Sequence, residues 1–234
     1  AKAISQLNFW ALVLTASIAQ ILATAFVVRL FNFRSFSVAI AFSKTEAIMA
    51  GLFAAMFFQD YLSTFGWVAV GLGVAGIVLL SKIDIKQLST MPKQAFFYGI
   101  GSGVLFAITS LCLREASLIL NLSLLLSASI TLVFMLILQS AICFSIIKKT
   151  QGEQLIKIKS YQKTVWFVGI TSALGSIGWF SAMSLQQVAI VKTLGQLEVV
   201  FMLLLSVFYF KEKISLQELC GIGMISLSVV FVFF

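Results

Sequence analysis

The hydrophobic positions of this chain run in long blocks separated by short polar stretches. A helix that crosses a bilayer needs about 20 mostly apolar residues, because at 1.5 Å rise per residue it must span a hydrocarbon core about 30 Å thick. Eight blocks meet that requirement, at about 9–28, 36–58, 62–81, 95–113, 121–147, 165–184, 188–210 and 214–233. Connections are short apart from 82–94, which holds the only proline, Pro92, and 148–164. None of them has the size of a soluble domain. The pattern predicts an all-α membrane protein, a polytopic helical bundle.

Charge gives the bundle a direction. If the blocks cross alternately, one face carries Arg29, Arg34, Lys82, Lys86, Lys93, Lys148, Lys149, Lys157, Lys159, Lys163, Lys211 and Lys213, and the other only Lys2 and Arg114. Cytoplasmic loops are the ones enriched in Lys and Arg. The first face is therefore expected in the cytoplasm, with both ends of the chain outside.

Composition agrees with the pattern. The chain is 61% hydrophobic and 10% charged, with a mean hydropathy of +1.09, whereas a soluble domain carries about 25% charged residues. The net charge of +8 does not point to nucleic acid, since no soluble basic face interleaved with aromatics is present to hold a phosphate backbone. Cys112, Cys143 and Cys220 each fall inside an apolar block without C-x-x-C spacing and read as small buried hydrophobes. There is no histidine, which excludes histidine-based metal sites, triads and proton shuttles. No nucleophile–base pair, phosphate loop or metal-ligand cluster is visible, so neither an enzyme nor a cofactor is expected.

An internal repeat emerges next. "FFQDYLS" at 57–63 matches "YFKEKIS" at 209–215, and at the same offset of 152 Glu46 falls on Glu198, Asp60 on Glu212 and Gly71 on Gly223. Five blocks separate a segment from its copy, and an odd number reverses its direction through the bilayer. The expectation is an inverted repeat of five-helix units, as in many transporters. Residues 93–234 make one whole unit, while 1–92 supply three helices. Ten helices are thus expected natively, eight of them in this chain and two preceding Ala1.

The repeat directs attention to Glu46 and Glu198. Each lies roughly 15 Å into its block, near the bilayer midplane, where a charge costs about 2.5–3.5 kcal/mol on insertion scales. Such a group faces a wet cavity or a partner, or else is neutral and merely ties helices together. Lys44 and Glu46, two apart, point about 200° from each other, and Lys192 and Glu198, six apart, diverge by about 120°. Neither is an intrahelical pair. Lys44 is expected to serve as a cavity cation or as partner to a carboxylate on another helix, and Lys192 to snorkel to the outer interface or to enter the cavity. Gln196 could offer its amide to substrate or equally bond a neighbouring backbone, and Trp179 and Tyr98 could line a pocket or simply be packing residues. Asp60 and Glu212 are expected at opposite surfaces, with Ser63 and Ser215 as N-caps of the following helices. Small residues four apart, Gly99, Gly103 and Ala107, and Gly169 with Ala173, would permit close helix packing, as would Gly71, Gly73 and Gly76.

At this point the residues resemble a known family. "GQLEVVFMLLLSVFYFKEKISLQELCGIGMISLSVVFVFF" looks like the last two helices of an EamA-type member of the drug/metabolite transporter superfamily, and "KTEAIMAGLFAAMFFQDYLSTFGWVAVGLGVAGIVLLS" like the equivalent pair of the first half. The resemblance implies ten helices in two inverted five-helix repeats around a central cavity with alternating access, and cargo such as amino acids, other small metabolites, sugar conjugates or drugs. It places the family's carboxylate on Glu198 and its first-half equivalent on Glu46. Many members carry proline directly after that Glu, where this chain has Ala47 and Val199. Members also keep both termini in the cytoplasm, against the charge bias here. The reading that follows is a secondary transporter, an exporter, of a small polar or zwitterionic metabolite. Its expected partners are that substrate, the lipid bilayer and protons as a coupling ion, and it would act as a monomer or homodimer in a bacterial inner membrane. The alternatives are a lipophilic-cation exporter and a non-transporting scaffold.

Overall fold

A computed structural model describes residues 7–32, 41–81, 92–150, 161–211 and 215–234. Among the described residues there is no strand. The helices are α1 (Leu7–Phe31), α2 (Glu46–Phe58), α3 (Thr64–Leu80), α4 (Lys93–Ile119), α5 (Leu124–Thr150), α6 (Gln162–Leu185), α7 (Val188–Gly195), α8 (Leu197–Phe210) and α9 (Leu216–Val232). By length and composition, five segments can cross a membrane: Leu7–Phe31, Ala41–Phe58, Lys93–Ile119, Leu124–Thr150 and Gln162–Leu185. Helices α3 and α9 are apolar at 17 residues each, about 26 Å long. Each block read from the sequence is thus mainly helical where described, the 36–58 and 188–210 blocks being interrupted by turns at 44–45 and at 196; the start of the 36–58 block lies outside the described residues.

These helices expose apolar side chains that an aqueous fold would bury. Trp166 and Phe167 on α6 are 71% and 70% exposed, and Phe57 on α2 is 71% exposed. Exposed apolar side chains of this size suit acyl chains as solvent. The cysteines are less hidden than their apolar settings suggested: Cys112 and Cys143 are half-buried and Cys220 is exposed.

The chain forms two compact units, one of residues 1–21 and 112–185, the other of 22–111 and 186–234. In the first, α5 packs along α6, Phe9, Trp10 and Phe134 meet edge to face, and the buried Ser117 hydroxyl donates to Thr131 Oγ1 at 3.2 Å. Gly169 on α6 has open space beside it rather than a neighbouring helix.

In the second unit α3 and α9 lie close together. A Cβ added at Gly76 would stand 2.9 Å from the Gly221 carbonyl oxygen, and one added at Gly221 would stand 3.0 Å from that of Gly76. Two backbones this near leave no room for side chains, which is the use membrane helices make of glycine. Ile77 and Ile225 beside this crossing pack with Ala41 and Val200.

The ends of the helices repeat at the 152-residue offset. Gln59 closes α2 in the left-handed region (φ 54°, ψ 26°), and Lys211 closes α8 likewise (φ 55°, ψ 32°). Ser63 then caps α3, its hydroxyl accepting from the Gly66 amide at 3.0 Å. Ser215 caps α9 in a reciprocal box with Glu218, satisfying amides the helix cannot satisfy itself. Both serines are N-caps, as the sequence suggested. Glu212 lies outside the described residues.

Candidate functional site

Two helices of the second unit are fractured where their glutamates stand. Residues 41–43 are helical, Lys44 and Thr45 form a turn, and α2 starts at Glu46. The Thr45 amide donates to the Phe42 carbonyl at 3.1 Å and the Ala47 amide to that of Lys44 at 3.3 Å, three residues back instead of four. The Thr45 hydroxyl also donates to Phe42 O, at 2.6 Å. At the second fracture the Gln196 amide donates to Thr193 O at 3.1 Å and the Val199 amide to Gln196 O at 3.0 Å. Tightened turns and side-chain oxygens that compete for carbonyls bend a helix without proline. A bend thus stands at each glutamate even though Ala47 and Val199 replace the family's prolines.

The fractures turn the charged side chains toward each other. Lys44 Nζ pairs with Glu198 Oε1. Lys192 Nζ pairs with Glu46 Oε1 at 2.8 Å, and the Ser110 hydroxyl of α4 donates to the same oxygen at 2.7 Å. Each lysine therefore bonds the glutamate of the other fractured helix. Lys44 does what the sequence allowed, bridging to a carboxylate elsewhere. Lys192 does not snorkel outward: α7 packs on α2, which brings its amine onto Glu46. The two pairs differ in access. The side chains of Lys192 and Glu46 are 20% and 12% exposed, and those of Lys44 and Glu198 are 21% and 51% exposed. Two ammonium groups and two carboxylates leave the cluster with no net formal charge.

Gln196 occupies the second fracture and is fully buried. Its amide lies against Gly73 of α3, where a Cβ would overlap it, and near Ser228 of α9, whose hydroxyl donates to Ile225 O at 2.7 Å. Neither Nε2 nor Oε1 of Gln196 has a hydrogen-bond partner among the described residues. A buried polar group left this way costs about 1–3 kcal/mol. Gly103 on α4 gives similar room to Thr45 at the first fracture, so the stripe of Gly99, Gly103 and Ala107 does meet a neighbour.

Of the remaining sequence candidates, Tyr98 and Asp60 take other partners. Tyr98 accepts from Arg29 Nη1 at 3.4 Å, under a guanidinium 5.9 Å from its ring centroid. It sits twelve residues before Ser110 on α4, about 18 Å along the helix, and does not join the glutamates. Trp179 is half-buried on α6 in the other unit. Asp60 is half-buried and accepts from Gln187 Nε2, which also donates to Tyr61 O at 3.1 Å; this links the end of α2 to the start of α7. Ser110 was missed, because a serine in a membrane helix carries no signal until the carboxylate beside it is known. Among the described residues no three His, Cys, Asp or Glu side chains gather to hold a metal.

Comparison with known proteins completes the picture. The model of the EamA-like transporter family matches residues 93–234, more than half of the chain. No curated protein matches it. A solved structure described only as "Crystal structure of protein" superposes with a TM-score of 0.63 at 14% identity, covering 100% of this chain and 91% of that one; at such identity the likeness shows the fold alone. An all-helical chain with exposed apolar flanks, paired charges at two helix fractures and this match over 93–234 belongs to the EamA-like transporter family, the membrane transporters of the drug/metabolite superfamily.

Proposed function

We propose that this protein is a secondary transporter of a small zwitterionic metabolite with an amino-acid-like head group, carried by alternating access around the fractures at Glu46 and Glu198. The observation that carries the reading is the crossed pairing of Lys44 with Glu198 and of Lys192 with Glu46. An ammonium–carboxylate pair has the same two charges as a zwitterion. The substrate's ammonium can replace a lysine on its glutamate while its carboxylate takes the lysine released, and no charge is stranded in a poorly solvated place. A lipophilic cation offers only half of that exchange and leaves a lysine uncompensated, which is costly away from water.

The matching ends of α2 and α8, and of α3 and α9, support the further reading that 1–92 and 93–234 are inverted repeats, a design that places substrate between repeats and moves one against the other. Export from a bacterial inner membrane, with protons as coupling ion, completes the proposal by family resemblance.

Lys44→Ala tests the substrate class. In proteoliposomes, uptake of zwitterionic amino acids should fall at least tenfold in the variant while uptake of a lipophilic cation stays flat or rises. Raised cation uptake with intact amino-acid uptake would favour the opposite assignment, because removing Lys44 removes the charge that repels a cation.

A further inference from the structure

We propose that Gln196 is a stowed substrate ligand: in one state of the transporter its amide is parked in the notch between Gly73 and Ser228, and on binding it leaves the notch to bond the substrate's polar head. This deepens the transport reading above and rests on it. Three observations meet here. Gln196 is fully buried, yet neither amide atom has a hydrogen-bond partner among the described residues. The notch exists because residue 73 is glycine; a methyl group there would occupy the space the amide now fills. The side chain also hangs from the fracture itself, between the Thr193 and Val199 hydrogen bonds that span only three residues. It stands one turn after Lys192 and two residues before Glu198. A movement at 196 therefore re-aims both charged groups of this helix.

A buried polar side chain without partners is costly where it stands, and a second state that gives it partners accounts for it. Substrate supplies that use: an amide can donate to a carboxylate and accept from an ammonium, the two ends of the zwitterion already inferred. The unfavourable burial then works in favour of binding, because the partners are gained when the amide is released.

The test uses the full chain in lipid nanodiscs, with thermal unfolding measured alone and with each of the free α-amino acids. Gln196→Leu fills the notch with an apolar side chain of similar length, so Tm should stay at or above that of the unmodified protein, while amino-acid affinity falls at least tenfold. A clear drop in Tm would show that the amide has hydrogen bonds of its own, and unchanged affinity would show that it does not touch substrate; either overturns the proposal. Gly73→Ala gives a second measurement, since it expels the amide from the notch. Hydrogen exchange of the 193–200 backbone should rise in Gly73→Ala and return to the original level in Gly73→Ala combined with Gln196→Ala. An equal rise with and without Gln196 would contradict stowage. If no amino acid stabilises the unmodified protein, the transport reading fails and the ligand role with it, while the exchange contrast separately reports whether the amide is stowed.

Discussion

Glu46 and Glu198 stand 152 residues apart, the offset at which the helix ends match, but their surroundings are unequal. Glu46 is 12% exposed and holds both Lys192 and Ser110, whereas Glu198 is 51% exposed and holds Lys44. Breaking a fully buried pair by removing one partner costs about 3–5 kcal/mol because it strands a charge. Exposed pairs contribute about 0–1 kcal/mol. Lys192 keeps some access, so Glu46→Gln should cost about 2 kcal/mol, below the fully buried range. Glu198→Gln should stay within about 1 kcal/mol of the unmodified protein. Thermal unfolding in nanodiscs checks the order, and a larger loss for Glu198→Gln would contradict the account. The asymmetry was not visible in the chain. The acids repeat at 152, but the bases do not: the mate of Lys44 is Gln196, and the mate of Lys192 is Ile40. Periodicity could find the carboxylates, while the crossing of the pairs depends on where two unrelated lysines are brought by bends.

At the scale of elements, most of the fold could be read from residue patterns. A block of about twenty apolar residues has few options other than a membrane helix, since its backbone polar groups must be satisfied within the segment. The caps at Ser63 and Ser215 followed from serine standing just before an apolar run. The fractures were harder to foresee, because no proline marks them. They arise from short-range hydrogen bonds at Thr45 and Gln196, and a threonine or glutamine inside an apolar run looks the same whether the helix bends or not. Glycine stripes were informative only in part, and α3 shows why. Gly76 touches the backbone of Gly221, whereas Gly71 has nothing within 4 Å. Gly76→Ala should therefore destabilise the protein by about 1–3 kcal/mol through overpacking. Gly71→Ala should be neutral, or stabilising by up to about 1 kcal/mol from helix propensity. Denaturant or thermal titration of the two variants side by side distinguishes contact from mere presence of glycine; equal effects would show that the α3–α9 crossing is not close.

For the whole molecule, the exposed apolar side chains and the paired charges play different roles. Exposed aromatics such as Trp166 and Phe167 make the bilayer the solvent. The crossed pairs at the two fractures form a cluster without net formal charge, which on the proposed function substrate enters by exchange. Both fractured helices are joined through their glutamates, a linkage by which, on the proposed alternating access, disturbing one pair would shift the helix holding the other. The most direct measurement is counterflow of radiolabelled zwitterionic amino acids in proteoliposomes containing the unmodified protein, Glu46→Gln or Glu198→Gln. The account predicts exchange by the unmodified protein and at least a tenfold loss in each variant. Equal, undiminished exchange in all three would contradict it.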